Sequence, residues 1–185
     1  MKRLVLLFSL WLGIGLFANA QNAAVTATLS VTLSDIMDIH IGSASGTSTA
    51  VSFPGFSTAT AYQNGVQSVQ NDHLYIIASK GFTIQVSSTN LTSGASPDAN
   101  HTISAAGINV VGADGSQGTT NKPSGTTYNN INLSTTAANL IVATGGTPLY
   151  KYKVTYTLGG GTRATNFINK AAGTYTATVT YTIIP

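Results

Sequence analysis

With no glutamate and no cysteine in the chain, three histidines are the residues that could suggest a transition-metal site and five aspartates supply its side-chain carboxylates. His40, His73 and His101 lie far apart, without the close i, i+2 or i, i+4 pairing that presents two imidazoles to one ion. Calcium sites gather several oxygen ligands, and the loops around Asp98 and Asp114 each offer a single carboxylate. Asp35, Asp38, Asp72, Asp98 and Asp114 are scattered, whereas hydrolysis by paired carboxylates needs two across one cleft. No Gly-x-Ser-x-Gly elbow marks a nucleophilic serine. The glycine clusters Gly112–Gly115 and Gly159–Gly161 have no helix start behind them, so they do not form phosphate loops. The expectation is a protein that is not an enzyme and holds no metal or cofactor.

Aromatic residues offer a different kind of chemistry. Tyr150, Tyr152 and Tyr156, with Tyr175 and Tyr181, form either an exposed surface that stacks on sugars or a set of core and cross-strand pairs. The first alternative makes the protein a glycan- or cell-wall-binding module with polysaccharide as partner. The second gives the tyrosines a packing role.

The elements that must position these residues are strands. Tyr175, Ala177, Val179, Tyr181 and Ile183 alternate with threonines up to the terminal Pro185, the period-two pattern of a strand with one buried face. Val25, Ala27, Leu29, Val31 and Leu33 alternate in the same way with Thr26, Thr28, Ser30 and Thr32. Further strands are expected over Ile36–Ile41, His73–Ser79, Phe82–Ser88, Thr102–Val111, Ile131–Leu133, Asn139–Thr144 and Leu149–Leu158. Lys80–Gly81 reads as a two-residue hairpin turn between the second and third of these. Gly42–Ala50 reads as a loop of small residues leading to Val51-Ser52-Phe53-Pro54 and a turn-rich stretch around Gly55 and Asn64-Gly65, and Gly112–Thr127 reads as an extended surface loop. No window has helical periodicity. Repeated short strands separated by turn signals predict an all-β, immunoglobulin-like antiparallel sandwich.

The N-terminus reads as an address. Lys2 and Arg3 precede an apolar run from Leu4 to Phe17, and Ala18-Asn19-Ala20 fits small-x-small cleavage. Residues 1–20 are therefore expected to be a signal peptide and 21–185 a single domain, secreted to the periplasm, the cell surface or an extracellular filament. The apolar run is shorter than a membrane span of about twenty residues, and no later segment is more apolar, so no transmembrane segment is expected. Without the signal, six basic residues face five aspartates, and the near-neutral balance gives no reason to expect a nucleic-acid partner. A surface of Thr, Ser, Asn and Gly with so few charges repels copies of itself weakly. With no disulfide available, packing must hold the domain together, and a chain of this length buries roughly 68–70% of its unfolded surface.

The terminal run Ala172-Gly173-Thr174-Tyr175-Thr176 through Val179-Thr180-Tyr181, together with the alternating strand Val25–Leu33, resembles the spore-coat-U-like, pilin-type secreted domains of bacteria. Cell-wall-binding domains that end in a Gly-Thr-Tyr-Thr-Ala-Thr-Val strand are a second resemblance. Only these terminal strands carry the likeness, and the disulfide found in many such pilins is missing. The pilin resemblance implies a sandwich lacking one strand, filled by a neighbour's N-terminal extension through β-augmentation. On that resemblance Val25, Ala27, Leu29, Val31 and Leu33 are the donated residues, and the partners are copies of this chain or related surface subunits.

Overall fold

The computed structural model describes residues 27–94 and 98–185. By contact the chain divides into two units, Met1–Leu33 and Ser34–Pro185. In the first unit, residues 27–33 have no regular secondary structure and are exposed. Val25 lies outside the described residues. Every helix and strand named below belongs to the second unit.

That unit is an all-β sandwich of antiparallel sheets. The larger sheet runs in the order β1 (Met37–Ile41), β2 (Val66–Ala78), β10 (Thr147–Leu158), β6 (Ile108–Asp114) and β8 (Asn130–Asn132). The smaller runs in the order β11 (Val179–Ile184), β3 (Phe82–Ser88), β9 (Ala138–Ala143) and β7 (Thr127–Tyr128). A short ladder, β4 (Leu91–Thr92) with β5 (Thr102–Ile103), stands apart from both. One short helix, α1 (Ala59–Asn64), is capped at its start by the Thr58 hydroxyl, which accepts from the Ala61 amide at 3.1 Å. No helix among the described residues is long and apolar enough to cross a membrane.

Alternation assigns the core. In β3, Phe82, Ile84, Val86 and Ser88 are buried while the residues between them are only partly covered. In β10 the buried face is Tyr150, Tyr152, Val154 and Tyr156, and it meets Leu74 and Ile76 of β2 and Val110 of β6 on the same sheet. The two inner faces interdigitate in one continuous cluster, whose burial supplies the main stabilising free energy in the absence of disulfides. In β9 the register shifts opposite Ile84 and Gln85, and this bulge allows the neighbours Leu140 and Ile141 both to be fully buried.

Lys80–Gly81 is not a hairpin turn. β2 pairs with β1 and β10, whereas β3 pairs with β11 and β9, so Ser79–Gly81 carries the chain from one sheet to the other. The corner is tight enough to require glycine, since a Cβ on Gly81 would sit 2.8 Å from the Thr144 carbonyl oxygen. The expected strand over Thr102–Val111 is likewise interrupted. Ser104 caps a 3-10 turn at Ala105–Gly107, and β6 starts only at Ile108. The final strand is regular only from Val179, although Thr176 makes an isolated bridge to Thr92.

Candidate functional site

The inner row of the last strand has an unusual degree of exposure. Tyr175, Ala177, Val179, Tyr181 and Ile183 all turn inward, as their alternation demands, yet every one stays only half-buried. The residues opposite Val179, Tyr181 and Ile183 on the adjacent β3, namely Ser88, Val86 and Ile84, are all buried. The topology accounts for the difference. β11 pairs with β3 on one side and with no strand among the described residues on the other. On the facing sheet, β1 is an edge strand of five residues that pairs only with Leu74–Ala78, so the first half of β2, paired with β10 on one edge, has no strand among the described residues on the other.

Where β1 stops, an open groove of about 860 Å³ runs beside the last strand. Tyr175, Ala177, Val179 and Tyr181 form one wall, and His73, Tyr156 and Leu158 form the floor. Val51, Phe53 and Phe56 lie across it, with Phe56 stacked on Phe167 at 4.7 Å and Phe53 edge-on to Tyr156 at 6.4 Å. Thr92 and Thr176 exchange backbone hydrogen bonds of 2.9 and 3.0 Å at the end of the wall, and Lys170 Nζ donates to the Ala99 carbonyl at 2.7 Å. The lining mixes these apolar side chains with Thr49, Ser52, His73, Lys170 and Thr176, and the strand edge beside it has no partner among the described residues.

The floor contains one buried polar chain. His73 Nε2 lies 2.8 Å from the Tyr156 hydroxyl, which lies 2.5 Å from the Tyr181 hydroxyl. A bulge puts His73 there: three residues of β2, Asn71–His73, stand opposite Lys153 alone, with Asp72 in a left-handed conformation at φ 50°. His73 and Leu74 are thereby both buried, at 3% and 0% exposure. Burial pushes the His73 imidazole down to about 4 and the Tyr156 hydroxyl up to about 12. The Tyr181 hydroxyl is also raised by burial and by its Tyr156 partner.

Because the folded histidine stays neutral while the unfolded one takes a proton near its ordinary value, its stabilising contribution is complete above about pH 6.5 and lost between there and about pH 4. Asp72, Asp98 and Asp114, all held below the ordinary carboxylate value, lose their contributions only at lower pH. The protein is therefore expected to be roughly 2–3 kcal/mol less stable to urea at about pH 4.5 than near neutrality. His73→Gln should flatten that slope; an unchanged slope would assign the loss to another group.

The tyrosines resolve in favour of packing. Tyr150 and Tyr152 are fully buried and Tyr156 is 3% exposed, so the three do not present an aromatic platform to sugars. Tyr150 and Tyr152 pack edge to face at 4.9 Å, and Tyr128 stands edge-on to Tyr152 at 6.1 Å. The Tyr128 and Tyr150 hydroxyls both reach Asp114 Oδ1, and Lys122 Nζ reaches Oδ2 at 2.7 Å. Burial alone raises the Asp114 carboxyl, but these three partners outweigh it and hold the group low. This cluster stabilises the loop after β6 and lies outside the groove. The other two histidines are surface residues paired with their own neighbours, His40 with Asp38 at 2.9 Å and His101 with Asp98 at 2.7 Å.

Of the N-terminal row, Leu29, Val31 and Leu33 are 88%, 70% and 90% exposed and Ala27 is exposed too. The residues that periodicity did not single out are Val51, Phe53, Phe56 and His73. The first three sit in a stretch broken by Pro54 and Gly55, and the fourth is turned inward by a bulge that the sequence does not signal. Asp72 before His73, a residue type that tolerates positive φ, was the one available hint. Compared with known proteins, the sequence matches no family and no curated relative.

Proposed function

We infer that this chain is an exported structural subunit of a surface fibre, assembled by β-strand donation. In this reading Val25, Ala27, Leu29, Val31 and Leu33 of one copy lie along the groove of the next, beside Tyr175–Ile183. The observation that carries it is a pair of complementary incomplete surfaces. One is a row of alternate apolar side chains left exposed, and the other is a strand whose inward row is only half-buried beside an open edge. Their lengths agree. Val25–Leu33 and Tyr175–Ile183 each offer five alternate apolar positions, a span of roughly 27 Å in extended chain. Main-chain bonds to the free edge supply affinity, and the alternate side chains fix the register. Export rests on the basic, apolar and small-residue pattern of residues 1–20.

The direct test is light-scattering chromatography of residues 21–185 with negative-stain microscopy. Filaments, or a ladder of oligomers that survives mild denaturant, are expected. A monomer at every concentration would exclude donation between copies and leave the groove without its proposed occupant.

A further inference from the structure

One side of the groove is made by the chain's own segment 47–57, of which Thr49–Phe53, Gly55 and Phe56 line the opening. Val51, Phe53 and Phe56 are half-buried against the core, with Phe56 packed between Phe167 and Tyr62. The flanks are fastened by backbone. Ile41 donates to the Gly46 carbonyl at 2.9 Å, Gly42 donates to His73 at 2.8 Å, and Tyr62 donates to Thr58 at 3.3 Å. Between Gly46 and Thr58, among the described residues, neither main chain nor side chain of 47–57 makes a hydrogen bond to the rest of the protein. Among the described residues, the contacts that hold the segment to the core are those of Val51, Phe53 and Phe56.

Val51 and Phe53 have the i, i+2 spacing of an inserted strand. Pro54 follows at once; it has no N–H to give to a ladder, and Gly55 adds backbone freedom that a strand must lose. The segment thus presents apolar side chains at the groove without the main-chain bonds that would fix a strand there.

Building on the donation reading, we propose that residues 47–57 are a displaceable strap. They cover the acceptor groove of the unassembled subunit through Val51, Phe53 and Phe56, and the incoming Val25–Leu33 segment of another copy expels them. The exchange favours the donor, which replaces the apolar contacts and adds hydrogen bonds along β11. The strap hides an apolar surface before assembly, and its release sets how fast a donor enters.

The test uses the full chain carrying Leu29→Asp and Val31→Asp, so that it cannot donate to itself, and a fluorescein-labelled peptide of Asn22–Asp35. Peptide entry is followed by anisotropy, and the strap by chymotrypsin cleavage after Phe56 (Phe53 is shielded by Pro54). The strap predicts slow cleavage before peptide entry and rapid cleavage after it. Phe53→Ala and Phe56→Ala should admit the peptide about tenfold faster, as loss of a half-buried ring from the displacement barrier requires. Peptide entry at an unchanged rate, with Phe56 still protected, would overturn the strap and leave donation standing. No peptide entry into either protein would overturn donation, and the strap with it. Cleavage after Phe56 in the unmodified strap needs no core-weakening variant, so a poorly folding Phe56→Ala does not blunt the test.

Discussion

Leu29→Asp together with Val31→Asp is expected to abolish high-mass assemblies while leaving the melting temperature of the domain unchanged. Both side chains are largely exposed in the single chain, at 88% and 70%, so an added charge there costs the fold within about 0.5 kcal/mol. In the groove of a neighbour the same carboxylates would meet a lining that includes Tyr156, Leu158 and Val179, where the Nζ of Lys170 already donates to the Ala99 carbonyl. Burying an unpaired carboxylate costs several kcal/mol, so two of them should weaken association by roughly 10⁴ or more. Sedimentation of the variant against the native chain reads the effect. Filaments of normal length would remove these residues from the interface. A collapse in melting temperature would instead place the segment inside its own fold.

The largest change in stability is expected from the core strand beside the groove. Phe82→Ala removes a ring that is 1% exposed where β3 meets Ala143 of β9, and such truncations cost about 3–5 kcal/mol. For a domain of this size that lowers the melting temperature by roughly 6–20 °C. Phe53→Ala should cost about 1 kcal/mol, because the ring is half-covered and its segment has no hydrogen bonds to lose. The contrast is the informative measurement. Equal losses by calorimetry would make residues 47–57 an integral part of the core, and the groove would then be closed to a donor.

Much of this fold is legible in the residues because one face of each long strand is dry. Phe82, Ile84 and Val86, and again Tyr150, Tyr152, Val154 and Tyr156, must alternate to reach a single core, and periodicity finds them without any knowledge of partners. Partners are what alternation does not encode. Lys80–Gly81 has the composition of a hairpin turn, yet the strands on either side join different sheets, a choice made by β10 and β11 from far along the chain. Helix α1 is too short to declare a 3.6-residue period, and only the Thr58 cap and Asn64–Gly65 mark its ends. The last strand was legible as a pattern, and the open groove beside it was not. An incomplete neighbour leaves no trace in the strand that lacks it.

The change of sheet between β2 and β3 also bears on how the chain reaches its native state. Consecutive strands do not zip together here. Leu74 of β2 finds its partner Tyr152 of β10 only after roughly eighty further residues, and loop closure of that length slows folding. The centre of the larger sheet cannot close until nearly the whole sequence is present, so nucleation is late and non-local. On the export reading proposed above, such slow closure gives the chain time to leave the cell before it folds. It also keeps the long edges of β2 and β10 exposed during that interval, and the chain's sparse charge offers little protection against wrong pairing.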